Sequence, residues 1–304
     1  MRNRRIVLAG GSGFLGKPLS KYLTERGYDV TVLTRHPNQG ANATKEVHWD
    51  GRTLGPWAEH LNGARAVVNL AGRSVNCRYT PQNRREINES RVNSVRVVGE
   101  AIRTCSKPPP VLVQSGSLAI YGDAGDDWCD ETTSSGDGFP VETCLLWEKA
   151  FAESSTPQTR RVVLRIGIVL GKSGGGLQTL GRLAKLGLGG TVGSGRQYIS
   201  WIHLLDMNRL FLAAIEQEQM SGIFNATGPQ PVTNAEFMRE LRRAVHRPWS
   251  PPVPTWAVHL GSRLMGTEAC LALTGRRCLP KRLQENGFTF NFPKLREALA
   301  DIYS

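Results

Sequence analysis

The chain has no C-x-x-C pair and no two histidines at metal-ligand spacing, and its six cysteines stand apart at 77, 105, 129, 144, 270 and 278. That scatter excludes a zinc module and predicts reduced thiols and no metal. No apolar run approaches the roughly 18 residues that a membrane-spanning helix needs. The start, MRNRR before IVLAGG, has the charge order of a signal peptide, but its apolar stretch is short, glycine-broken and serves as a strand. The expected location is therefore the cytoplasm. There is no internal repeat and no long basic run: the net charge of +12 comes largely from dispersed groups such as Arg84-Arg85, Arg160-Arg161, Arg242-Arg243 and Arg276-Arg277. The net charge favours anionic ligands and could support nucleic-acid or acidic-membrane contact, but such dispersal reads as a solvated basic surface and not as a dedicated nucleic-acid face.

What is present begins at Arg5. RIVLAGGSGFLG, Arg5 to Gly16, runs an apolar strand into a glycine-rich turn and then an apolar-periodic helix. Gly10 permits the tight turn, Gly13 lets backbone N–H groups approach a phosphate, Gly16 allows close packing, and the helix N-terminus attracts negative charge. Gly11, Gly13 and Gly16 also satisfy G-x-G-x-x-G, so a dinucleotide pyrophosphate is the expected ligand. A second strand, Asp29 to Thr34, ends where NAD-preferring folds place a carboxylate on the ribose diol. This chain places Arg35 there. A guanidinium can grip a 2′-phosphate and stack on adenine, which points to NADP(H).

With 304 residues and 40% hydrophobic content, the chain is long enough for a nucleotide domain plus a smaller lobe. Further strands are expected at Lys45 to Trp49, Ala66 to Leu70, Val111 to Ser115 and Val162 to Val169. Helices are expected from Pro81 toward Cys105 and around Cys144 to Ala152. The alternation describes an α/β fold, a Rossmann-like doubly wound parallel sheet with right-handed crossovers. It occupies residues 1–170, with later segments returning to it. Beyond Gly171 come glycine-rich loops, short helices and a strand around Ile223 to Ala226, read as a C-terminal substrate lobe over 171–304. The proline-rich connector His246 to Trp256 opens its helical tail, about 248–304.

With VVNLAG (Val67 to Gly72) and QSGSLAIYG (Gln114 to Gly122), the chain resembles an extended short-chain dehydrogenase/reductase of the NAD-dependent epimerase/dehydratase superfamily. More narrowly, LRIGIVLGKSGGGL, LGLGGTVGSGRQY, WIH and GRRCLPKRLQENGF resemble the atypical epimerase family proteins of the YfcH type. The resemblance covers nearly the whole length. It implies a Rossmann fold, NADP(H), and cofactor contacts from Gly10, Ser12, Gly13, Phe14, Leu15, Gly16, Thr34, Arg35, Leu70, Ala71, Gly72, Glu86, Arg91 and Val169.

In the wider superfamily a serine and a Tyr-x-x-x-Lys pair transfer the proton while nicotinamide carries the hydride. Ser117 matches the serine, but Cys144 and Glu148 stand at the tyrosine and lysine positions, and none of the six tyrosines has lysine four residues later. A carboxylate beside a thiol raises the thiol pKa, making Cys144 a poor base. Glu148 can accept hydrogen bonds from ribose hydroxyls, or act as base if burial lifts its pKa. Arg91, at a position usually held by asparagine, could neutralise Glu148 or reach a cofactor phosphate. Ile199 and Ser200 replace the segment where sugar-nucleotide enzymes present an arginine, while His203 and Asp206 read as structural.

The leading expectation is an NADP(H)-binding oxidoreductase or epimerase-like protein acting on an unidentified small molecule. Its alternative is an NADP(H)-binding sensor or regulator that acts through a partner without turnover.

Overall fold

The computed structural model describes residues 4–38, 44–247 and 249–304; Pro248 of the expected proline-rich connector lies outside them. Along the first half run β1 (Arg5–Ala9), α1 (Gly16–Thr24), β2 (Asp29–Thr34), β3 (Lys45–His48), β4 (Ala66–Asn69), α2 (Pro81–Thr104), β5 (Val111–Ser117), β6 (Trp128–Cys129), α3 (Phe139–Glu153) and β7 (Arg160–Ile166). There follow β8 (Ile168–Leu170), α4 (Gly175–Lys185), β9 (Tyr198–Ile199), β10 (Trp201–His203), α5 (Leu204–Glu216), β11 (Gly222–Ala226), β12 (Val232–Thr233) and α6 (Asn234–Ala244). The tail holds α7 (Thr255–Leu264), α8 (Cys270–Leu273), β13 (Arg277–Cys278), α9 (Lys281–Glu285) and α10 (Leu295–Tyr303). No described helix is long and apolar enough to cross a membrane.

Seven strands form one parallel sheet in the order β11-β7-β5-β4-β1-β2-β3. Residue alternation explains why both faces are covered. Ile6, Leu8, Val68, Val113 and Leu164 face one core with Leu19 and Leu23 of α1 and Leu210 and Phe211 of α5. Val7, Ala9, Val67, Leu112 and Val163 face the other, with Val98 and Ile102 of α2 and Trp147 and Phe151 of α3. Strands buried on both sides need near-continuous apolar sequence, which β1 and β4 have. The start of α2 is fixed locally: Pro81 opens it, and the Thr80 side chain accepts the Asn83 N–H at 3.2 Å.

Two expectations change. The single strand over Val162 to Val169 is two strands, because the chain leaves the main sheet at Gly167, where a Cβ would stand 2.6 Å from the Ser200 carbonyl oxygen. β8 beyond it pairs with β10 instead. The strand near 223–226, placed by sequence texture in the second lobe, is β11 and pairs with β7 at the edge of the main sheet.

A third core joins α4, α6 and α10 around Trp201, Phe237 and Leu299. The fully buried Asp206 holds the tail in place, accepting the N–H groups of Asn291 and Phe292 at 2.9 Å each and pairing with Arg209 at 2.8 Å. His203 caps α5 by accepting the Leu205 N–H at 3.2 Å and stacks on Phe292. Asp206→Ala is expected to lower stability by about 2–4 kcal/mol in urea unfolding, since charged acceptors of buried N–H groups are worth more than neutral ones. A loss under about 1 kcal/mol would remove Asp206 from this role.

Candidate functional site

The strand order reverses at β1, with β2 on one side and β4 on the other, so the loops after β1 and β4 part at the carboxyl edge of the sheet. Crevices at such switch points take ligands in open α/β sheets. The loop after β1 is built by close approach. Gly10 has φ +74°, donates its N–H to the Leu33 carbonyl at 2.9 Å, and lies so near the loop after β4 that a Cβ would stand 2.8 Å from the Ala71 Cα. A Cβ on Gly16 would stand 2.3 Å from the Gly11 carbonyl oxygen, whereas one on Gly13 would meet nothing within 4 Å beyond its chain neighbours. The first two glycines thus close the turn on protein, and the third faces open space where a pyrophosphate would lie.

Ser12 and Thr34 are joined through their hydroxyls at 3.1 Å, tying the glycine loop to the end of β2. The next residue, Arg35, is exposed. Leu70, Ala71 and Gly72 follow β4, and their course is set by a residue the sequence reading passed over. The fully buried Asn69 accepts the Ala71 N–H at 3.1 Å and donates to Gln114 Oε1 at 3.0 Å. Phe14 packs against the second glycine loop: Cβ atoms on Gly174 and Gly175 would stand 2.7 and 2.8 Å from its ring. Leu15 and Leu70 are half-buried against the α1/α5 core, and Val169 lies inside it.

Ser117 ends β5. Its Oγ accepts the Ala119 N–H at 3.1 Å, which leaves its own hydrogen to donate. Cys144 is buried on α3 with its thiol 3.9 Å from the Ser117 carbonyl oxygen. Burial, then the Glu148 carboxylate, pushes that thiol up to about 11. Cys144 is therefore expected to alkylate more slowly at pH 8 than the half-buried Cys77, read by peptide mass spectrometry with iodoacetamide. Equal rates would contradict the buried, protonated state.

Glu148 is committed elsewhere. Its two oxygens accept from Arg165 Nε and Nη2 at 2.8 Å each, and Arg165 Nη1 donates to the Tyr121 hydroxyl at 2.9 Å. Burial works against the charge on Arg165, but the bidentate pair with Glu148 holds its pKa above the usual arginine value. Burial also raises the Tyr121 hydroxyl to about 12, with Arg165 opposing, and that hydroxyl lies 2.8 Å from Asn225 Oδ1. The expectation that Arg91 neutralises Glu148 is thus overturned: Arg165, one strand away, does so. Both carboxylate oxygens of Glu148 are thus taken up by one guanidinium.

Arg91 turns instead toward backbone. Its Nη1 donates to the carbonyls of Ile87 and Arg73 at 3.0 Å each, and its guanidinium lies 5.1 Å from the Trp147 ring centre and against Gly72. Glu86 forms an ion pair with Arg73. Arg73, Asn69, Arg165 and Tyr121 are the residues sequence reasoning missed. Asn69 and Arg165 carried a signal, a polar and a charged residue inside the apolar runs AVVNLAG and VVLRIGIVL.

Comparison with known proteins agrees with this geometry. The sequence pattern of the NAD dependent epimerase/dehydratase family matches residues 6–227, and a domain of unknown function, DUF1731, matches 253–302. Epimerase family protein YfhF of Bacillus subtilis is 33% identical over 98% of this chain and 97% of its own length. The crystal structure of human epimerase family protein SDR39U1 (isoform 2) with NADPH superposes with a TM-score of 0.88 at 31% identity, covering 98% of this chain and 99% of that one. UDP-N-acetylglucosamine 4-epimerase from Bacillus cereus, with a TM-score of 0.77 at 18% identity over 98% of each chain, shares the fold alone. With its switch-point glycine loop, its Ser117, and this match over most of its length, the chain belongs to the NAD dependent epimerase/dehydratase family.

Proposed function

We propose that this chain is a cytoplasmic NADP(H)-binding oxidoreductase or epimerase-like enzyme acting on a small molecule. One observation carries the reading: at the switch point, Gly10 and Gly16 close the turn on neighbouring backbone while Gly13 faces open space. The residues present fit a dinucleotide phosphate. Gly11 to Leu15 would surround the pyrophosphate, Ala71 and Gly72 would wall its other side, and exposed Arg35 would meet the 2′-phosphate. The human relative crystallised with NADPH, similar over its whole length, supports the choice of cofactor.

A bound nicotinamide supplies hydride transfer. The protein's own part starts at Ser117, whose free hydrogen can polarise a substrate carbonyl or hydroxyl. The thiol of Cys144 remains protonated, and the Glu148–Arg165 pair fixes the end of β7 against α3 rather than moving a proton.

The test is a titration of NADPH and NADH into wild type and Arg35→Ala. A charge-assisted phosphate contact contributes about 1.5–3 kcal/mol, so the substitution is expected to weaken NADPH by roughly 10- to 150-fold and leave NADH unchanged. An unaltered preference would overturn the assignment to Arg35.

A second reading, binding without turnover, draws on the same pairing of Glu148 with Arg165. The two separate in complementation of a deletion strain by Ser117→Ala. An enzyme requires that hydroxyl, whereas a binder that retains NADPH does not.

A further inference from the structure

We propose that helix α7 of the C-terminal tail is a docking element whose occupant is an anionic lipid surface. The inference stands apart from the cofactor reading and concerns a face that the proposed chemistry does not use.

A surface helix of a globular chain normally turns its apolar stripe inward, and α7 turns it outward. At 3.6 residues per turn, Trp256, Leu260 and Leu264 fall on one face, and all three are exposed, Trp256 to 70% and Leu264 to 81%. His259 and Arg263 flank that stripe and are exposed as well. Ala257, Val258, Gly261 and Ser262 take the opposite face and are half-buried. Both ends of the helix are held. A Cβ on Gly193 would stand 3.4 Å from Thr255 Oγ1, and just past the other end Thr267 Oγ1 donates to Asn76 Oδ1 at 2.7 Å while Glu268 accepts the Tyr79 N–H at 2.7 Å. The stripe is thus presented by a fixed helix.

The chain around it carries one sign of charge. No Asp or Glu occurs between Glu240 and Glu268, nor between Glu153 and Asp206. These acid-free segments are distant in sequence, and the fold joins them at the start of α7. The Val253 N–H donates to the Thr191 carbonyl at 2.8 Å, the Gly193 N–H to the Val253 carbonyl at 2.9 Å, and Arg247 Nε to the Lys185 carbonyl at 3.2 Å. The junction gathers two exposed cations, Lys185 and Arg247, and adds the exposed apolar side chains of Leu186, Leu188 and Trp249. Lys185, Arg247 and Arg263 form no ion pair among the described residues, and Glu268, which closes the acid-free stretch, is paired with Arg78 at 3.5 Å.

Charge decides the occupant. A second copy of this chain would bring the same cations to the same stripe, and like charges across an interface oppose docking. Three side chains also fall short of the roughly 800 Å² per partner that a stable dimer covers. A nucleic acid would answer the cations but has no use for Leu260 and Leu264. An anionic bilayer surface answers both: phosphate head groups meet Arg263 and the cations at the helix start, and the boundary with the acyl chains takes Trp256, Leu260 and Leu264.

The full chain is sedimented with vesicles of equal parts phosphatidylcholine and phosphatidylglycerol, and with vesicles of phosphatidylcholine alone. Binding to the anionic vesicles is expected to be at least about tenfold tighter, because the cations act together at a charged surface. Leu264→Glu sets a carboxylate in the stripe and Arg263→Glu reverses the charge beside it; each is expected to weaken that binding by about tenfold or more, with circular dichroism and melting midpoint unchanged. Should one variant fail to fold, the other decides. No sedimentation with anionic vesicles, equal sedimentation with both kinds, or unweakened binding by a folded variant overturns the proposal. So does a wild-type dimer in size-exclusion chromatography with light scattering that Leu264→Glu splits into monomers, which gives the stripe to a second copy. An affinity for duplex DNA above that for the anionic vesicles overturns it in favour of nucleic acid.

Discussion

Glu148→Gln is expected to destabilise the protein by about 3–5 kcal/mol, the range for removing one partner of a buried ion pair and stranding the other. The Arg165 side chain is 8% exposed and that of Glu148 is 18% exposed, so water can do little to replace the lost carboxylate. Glutamine keeps the shape and one acceptor oxygen, which makes the loss a measure of charge and not of volume. Equilibrium urea unfolding reads it directly. Replacing both residues by apolar ones of similar size, Glu148→Leu with Arg165→Met, is expected to recover much of the loss, because the stranded charge is gone. Recovery stays partial, as Tyr121 loses the guanidinium that hydrogen-bonds its hydroxyl. A change below about 1 kcal/mol in Glu148→Gln would place the pair among weak surface contacts.

Gly13→Val is expected to abolish measurable NADPH binding, a loss of at least about 100-fold, while changing stability by less than about 1 kcal/mol. The asymmetry follows from where the new atoms go: a Cβ on Gly13 would meet nothing within 4 Å beyond its chain neighbours, so the added bulk enters the space expected for the ligand. Gly16→Ala is the opposite case. Its Cβ would stand 2.4 Å from the Gly11 Cα, so the turn itself must give way and the fold suffers with the site. Fluorescence titration beside circular dichroism separates the two variants. Normal NADPH binding by a folded Gly13→Val chain would remove the loop from the cofactor site.

The glycine loop was legible because its signal is local: strand, turn and helix follow each other within a dozen residues, and β2 falls on the expected Asp29–Thr34. The replacement of Tyr-x-x-x-Lys was legible for the same reason. What replaced it was not. Glu148 and Arg165 lie 17 residues apart on α3 and β7, and only the packing of that helix against the sheet brings them together. Arg91 looked like the partner because it shares the site, yet Ile87 and Arg73 carbonyls claim it first. The contact of Phe14 with Gly174 and Gly175 spans about 160 positions, beyond any periodicity in the sequence. The break of the expected strand at Gly167 also needs Ser200 to be present before it has a cause.

The tail is woven into the sheet it follows. Leu283 is buried in the same core as Ile6 and Leu8, and Arg282 donates to the carbonyls of Ile223 and Ser221 beside β11. Asn225 of β11 also donates to the Leu279 carbonyl at 3.1 Å. During synthesis the chain is therefore long past the end of β11 before the last pieces of its core emerge. Until then the nascent sheet presents an apolar surface and an incompletely covered edge, a state prone to aggregation. Its final closure depends on contacts far apart in sequence, which form slowly. Cells making this protein have a reason to shelter the growing chain until its tail has emerged.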